Sequence, residues 1–374
     1  MGLFISDLCE MANQEFQKNG RSDLFIRLEE ESIEKGWLVD FARNVNWADI
    51  QKLERIVTSS PRYGMKGIIE FAKYIEDNNI DKQKLQEEVI KSGNASLINY
   101  FAQSNKEADV ERLQEALIAI DDSKEILEFA QFVEGADIDK LQEVIIQSNQ
   151  VDHICSIAQV EGADVERLQE IVIKQGSVFD ICNFAEFVKG ADIEKLQNAM
   201  IQAYNNGKAS VSLGMPLVEP IYNFAKNIKG ADINKLQDLI INVCKESKWD
   251  RGNMIQLCHF AQDIKGADIK QIEDVIVQSR NSTAILEFAT SVKNANVGRL
   301  QESIIKVNAT ISMVRFAAEV PNADIKTLQD KVIESGDLKI MSAFAKNVAG
   351  ADKDKIREAM LQIQQKTEEE KLGI

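Results

Sequence analysis

Two histidines, five cysteines and 60 carboxylates are the residues of this chain whose chemistry could go beyond packing. His153 and His259 lie about four repeats apart in the pattern described below, too far to share a site. His153-Ile154-Cys155 and Cys258-His259 each bring two metal ligands close in sequence. A closed zinc site needs four ligands at suitable spacing, so no metal and no cofactor is expected. Cys155, Cys182 and Cys258 occupy one slot, two residues before a recurring aromatic, that elsewhere holds Val39, Ile69, Leu127 or Leu286. A free thiol in an apolar slot behaves as a small hydrophobe, and nucleophilic catalysis would also need an oriented base beside it. These residues predict no enzyme.

The carboxylates recur with a period. Asp49, Asp81, Asp109, Asp137, Asp164, Asp192, Asp232, Asp268, Asn296, Asp324 and Asp352 are separated by 32, 28, 28, 27, 28, 40, 36, 28, 28 and 28 residues. A fixed period of this size marks stacked supersecondary units. Six positions after the Asp stands another carboxylate (Glu87, Glu143, Glu170, Asp274, Asp330), and three positions after it usually a Lys or Arg (Lys140, Arg167, Lys195). Side chains three apart on a helix pair weakly, so this row reads as a solvated face. Gln86, Gln114, Gln142, Gln169, Gln197, Gln237, Gln301 and Gln329 flank the core stripe and are placed to bond a neighbouring repeat.

Two helices per unit must position these side chains. Helix A carries an aromatic followed by Ala, as in Phe71-Ala72, Phe129-Ala130, Phe184-Ala185 and Phe316-Ala317, with Ile157-Ala158 as a variant. An apolar residue three before the aromatic and a β-branched one four after it complete a helical stripe. Helix B opens at the recurring Asp, whose carboxylate suits the free N–H groups of a first turn. Gly93, Asn149, Gly176, Asn308 and Gly336, twelve positions later, tolerate the left-handed conformation that ends a helix. Helix B is then about eleven residues, roughly 16 Å long.

The pattern resembles the α/α helical-hairpin class that includes tetratricopeptide, pentatricopeptide and Sel1-like repeats, with a period of 28 rather than 34 residues. The resemblance implies binding of peptides or protein surfaces. The expected fold is all-α, a right-handed α-solenoid of about eleven 28-residue helical hairpins. Residues 1–32 read as degenerate N-terminal capping helices and 33–360 as a continuous array. Insertions near 204–219 and 245–253 read as loops, and 361–374 as a polar helix end or tail.

A formal net charge of −16 opposes nucleic-acid binding, which depends on Lys and Arg displacing counterions. No apolar run approaches the roughly 18 residues of a transmembrane helix. An odd number of cysteines and no basic signal region point to a reduced, cytoplasmic or intracellular soluble setting. Met1-Gly2-Leu3-Phe4-Ile5-Ser6 matches a myristoylation pattern, making Gly2 a candidate lipidation site and a weak membrane tether an alternative. The position before the aromatic varies and points about 150° from the core stripe. It holds Glu70, Tyr100, Glu128, Asn183, His259 and Arg315, flanked by Tyr74, Phe132 and Phe187. These residues are the expected partner-binding set of an acidic helix A face, and the expected function is a protein-interaction module or scaffold. The competing readings are an enzyme or enzyme inhibitor working through the insertion loops, and a membrane-tethered adaptor. The sequence sets no oligomeric state.

Overall fold

In a computed structural model, residues 4–75, 80–209 and 215–372 are described. Among them the chain forms 24 helices and no strand. Two compact units are distinguished, Met1–Leu168 and Gln169–Ile374, with the boundary inside the helix Val165–Gln175.

The A helices are short, typified by Gly64–Tyr74, Ala95–Ser104 and Ser123–Phe132 in the first unit and Val178–Phe187, Ser282–Ser291 and Thr310–Glu319 in the second. Their phenylalanines form the core: Phe41, Phe71, Phe101, Phe129, Phe184, Phe224, Phe260, Phe288, Phe316 and Phe344 are all fully buried, as is Ile157. Burying such a side chain stabilises by about 1.5–3 kcal/mol. The β-branched residue four positions on does not extend the helical stripe as its spacing suggests. Val133, Val188, Ile228 and Val292 stand just beyond the helix in extended conformation, buried, each donating its N–H to the Phe carbonyl. The chain then turns at a residue with positive φ, Gly190 (+87°) in the central motif and Asn294 (+67°) or Asn322 (+63°) where glycine is replaced.

All eleven recurring Asp or Asn residues accept the N–H three positions on, at 2.9–3.2 Å. They are the N-caps of the B helices. Most B helices run 10 or 11 residues, as in Ile138–Gln147 and Val110–Ile120. Gly93, Asn149, Asn308 and Gly336 adopt the left-handed conformation beyond them, and so do Asp121 and Arg280 in the same slot. Gly176 is not among them; its N–H closes the helix on Val172 O at 2.8 Å.

The insertions are not simple loops. The first lengthens its B helix to Ile193–Asn205, 13 residues, and the Tyr204 hydroxyl there donates to Leu217 O at 2.7 Å. The second lengthens both neighbours, to Ile233–Glu246 and Arg251–Asp263, leaving a four-residue link in which Lys248 and Trp249 have positive φ. At the ends, Ile5–Asn19 and Asp23–Lys35 form the first helical pair, and the last helix, Lys353–Leu372, continues well past residue 361.

Candidate functional site

Two surfaces could act, one on the B helices and one on the A helices. The B surface is largely consumed by the repeat itself. Each buried glutamine of the B helices bonds the capping residue of the next repeat: Gln114 Oε1 accepts from Asp137 N–H at 2.8 Å and its Nε2 donates to Asp137 O at 3.3 Å. Gln86 does the same to Asp109, Gln197 to Asp232, Gln237 to Asp268, Gln301 to Asp324 and Gln329 to Asp352. Gln142 and Gln169 accept from Asp164 and Asp192 N–H, each at 2.8 Å.

Where a glutamate takes this place it can only accept, and a cation stands beside it. Glu29 accepts from Asp49 N–H with Lys52 Nζ at 2.6 Å, Glu54 faces Lys84 at 3.7 Å, and Glu273 faces Arg299 at 3.2 Å. The last helix has Arg357 in the slot, exposed and paired with Asp354 at 3.2 Å.

The charged row also differs from its expected pairing within one helix. The cation three after the cap reaches back to the carboxylate row of the preceding repeat. Arg112 pairs with Glu87 and Arg167 with Glu143 in the first unit, and Lys195 pairs with Glu170, Arg299 with Asp274 and Lys355 with Asp330 in the second.

The A surface carries the variable residues. Glu70 and Glu128 are half-buried and face Lys66 and Lys124, each at 3.9 Å along the same helix. Tyr74 and Tyr100 are 38% and 39% exposed, and Lys73 joins them, its ammonium 5.1 Å from the Tyr74 ring centre and 5.9 Å from that of Tyr100. Arg43 covers Tyr74 at 4.7 Å. Phe132 and Phe187 are each 60% exposed, and Asn183 is exposed one turn before Phe187. His259 Nε2 lies 4.0 Å from Glu287, while Arg315 makes two hydrogen bonds to Glu319, at 2.8 and 2.9 Å. Gly2 lies outside the described residues.

Two polar clusters bridge adjacent A helices without having been expected. In the second unit the Tyr222 hydroxyl donates to Asp263 at 2.5 Å, and Lys226 Nζ donates to both, at 2.7 and 2.9 Å. Burial, followed by the bond to Asp263, pushes the Tyr222 hydroxyl up. The bonds from Tyr222 and then Lys226 hold the Asp263 carboxyl below the usual range. A phenol and an ammonium held in this way brace the two helices and are not poised as a base. In the first unit the buried Glu125 accepts from Ser96 Oγ and from Asn99 Nδ2, both at 2.5 Å. The one available signal was a polar residue, Asn99 or Tyr222, in a slot that is mostly apolar or cysteine.

All five cysteines are buried. Burial pushes the Cys9 thiol up to about 11 and those of Cys182 and Cys244 to about 12, so they are packed thiols and not nucleophiles. Among the described residues no group of three His, Cys, Asp or Glu side chains could hold a metal ion, and no helix is long and apolar enough to cross a membrane. No protein-family model and no curated protein matches this chain.

Proposed function

We propose that the repeats continue as a right-handed α-solenoid of about eleven hairpins, and that the chain binds a protein or peptide partner through its A helices. The mechanism is binding alone. One contrast supports this reading. The glutamines of the B helices and five of their carboxylates, Glu87, Glu143, Glu170, Asp274 and Asp330, are engaged by the next repeat, whereas the A helices of Met1–Leu168 leave Tyr74, Tyr100 and Phe132 exposed. Aromatic side chains that keep a large contact area open to water are the usual anchors of protein interfaces. His259 and Arg315 already have carboxylates beside them, so the reading gives the anchoring role to the aromatics.

The experiment uses the intact chain as bait and titrates the captured partner against Tyr100→Ala/Phe132→Ala and against Glu143→Gln/Glu302→Gln on the B helices. The first pair should weaken binding by roughly tenfold or more, as loss of interface anchors does, with the melting temperature nearly unchanged. Loss of affinity from the B pair alone would place the site on the other surface and end this reading.

A further inference from the structure

The net charge is unevenly divided: Met1–Leu168 carries 33 Asp and Glu against 18 Lys and Arg, and Gln169–Ile374 carries 27 against 26. Within the acidic unit a cavity of about 390 Å³ lies between the turn after Ser123–Phe132 and the turn after Val151–Ile157, lined among others by Gln131, Val133, Glu134, Ile138, Val160 and Glu161. Its size falls within the range of ligand-binding clefts, roughly 300–1,000 Å³. Glu134 and Glu161 are exposed, and among the described residues no Lys, Arg or His lies within ion-pair distance of either. The basic residues closest along the chain are engaged elsewhere. Lys124 faces Glu128 at 3.9 Å, Lys140 faces Glu111 at 3.6 Å and Asp137 at 3.7 Å, and Arg167 pairs with Glu143. Three positions before the capping residue, where these two glutamates stand, other repeats have Lys106, Lys189, Lys229, Lys265 and Lys293, so the acid belongs to this pair of turns and not to the repeat. Phe132, 60% exposed, stands between the lining residues Gln131 and Val133, so the cavity adjoins the A surface.

We infer that this cavity takes a Lys or Arg side chain of a basic peptide partner, its charged end between Glu134 and Glu161, its methylene stem against Val133, Ile138 and Val160, and a neighbouring apolar residue on Phe132. The inference rests on the proposed function and names the chemistry of its partner. Charge complementarity carries the choice of occupant. A cleft lined by one sign of charge focuses its field on the opposite sign, and here the sign of the lining agrees with the excess of the whole unit. A long basic side chain joins a cationic tip to an apolar stem, which matches a lining of two carboxylates and three aliphatic side chains. An acidic peptide or a nucleic acid would meet the two carboxylates with no cation in the lining to offset them.

The test uses fluorescence anisotropy at physiological salt with labelled decapeptides of alternating Lys and Leu and of alternating Glu and Leu. The wild-type chain should bind the Lys-Leu peptide in preference to the other. Glu134→Lys/Glu161→Lys should weaken that binding roughly tenfold, two attractions having become repulsions, with the helical circular dichroism unchanged. Glu302→Lys/Glu358→Lys in the second unit makes the same change in net charge and should bind as wild type. If it weakened binding as much as the cavity variant, net charge alone would hold the peptide and the cavity would be excluded. If Glu134→Lys/Glu161→Lys bound normally while Tyr100→Ala/Phe132→Ala lost binding, the cavity would be excluded and the A surface retained. If neither variant changed binding, both proposals would fail. Failure of the wild type to bind the Lys-Leu peptide, or tighter binding of the Glu-Leu peptide, would overturn the basic occupant.

Discussion

Replacing Gln114 by Ala tests the clamp between repeats. Gln114 is 2% exposed, and its amide both accepts from and donates to the backbone of Asp137. Asp137 O keeps a helical partner in Leu141 N–H at 3.2 Å, so the carbonyl is not orphaned. The Asp137 N–H, in a part-buried bond, loses its acceptor, and an unsatisfied donor that water does not fully reach costs about 1–3 kcal/mol. A central value of about 2 kcal/mol corresponds to roughly a 30-fold faster exchange of the Asp137 amide under native conditions. Hydrogen exchange resolved at that amide is the assay, with the Asp49 amide, which bonds to Glu29, as internal reference. Gln301→Glu, at the equivalent clamp on Asp324, should cost more than Gln301→Ala at neutral pH, because Thr327 stands there in the place of the cations that accompany Glu29, Glu54 and Glu273. Its cost should shrink as the pH falls and the neutral acid becomes able to donate. Unchanged exchange in Gln114→Ala, or Gln301→Glu indistinguishable from wild type at neutral pH, would refute the clamp.

Phe184→Ala should destabilise by about 3–5 kcal/mol, the cost of removing a fully buried Phe, whereas Asp192→Ala, which removes the cap on Lys195 N–H, should cost about 1 kcal/mol in urea unfolding. Because Asp263 is held below the usual carboxyl range, the stability it contributes is complete above that range. It is lost as the pH falls through the depressed value, so thermal melts should show a drop on acidification that is shallower in Tyr222→Phe. The native chain should react with a thiol reagent only slowly at pH 8, and all five cysteines should react once it is unfolded. A thiol titrating rapidly in the native chain would contradict the packing of that cysteine.

The core was legible because period and residue type agree: every Phe of the Phe-Ala pairs is buried, and every recurring Asp or Asn caps a helix. The end of helix A was not. Val188 is buried at the spacing of a helical stripe, and a hydrophobic pattern cannot tell the last helical turn from an extended residue that packs in the same place. Arg167 was not legible as the partner of Glu143, since cation and carboxylate recur at fixed positions and the pattern leaves open which copies meet. The second insertion was read as a loop because Lys245 to Gly252 is polar, yet most of it lengthens two helices. For the candidate site, sequence variation picked out a variable slot on the A helices, but Tyr222 and Asn99 sat in a mostly apolar slot and were passed over.

The most direct test of recognition by the A helices is a hydrogen-exchange and carboxyl-labelling footprint of the chain with and without its captured partner. Protection should concentrate in Gly64–Tyr74, Ala95–Ser104 and Ser123–Phe132, and labelling of Glu87, Glu143 and Glu170 on the B helices should be unchanged. Protection of that glutamate row with the three A helices unaffected would contradict the account.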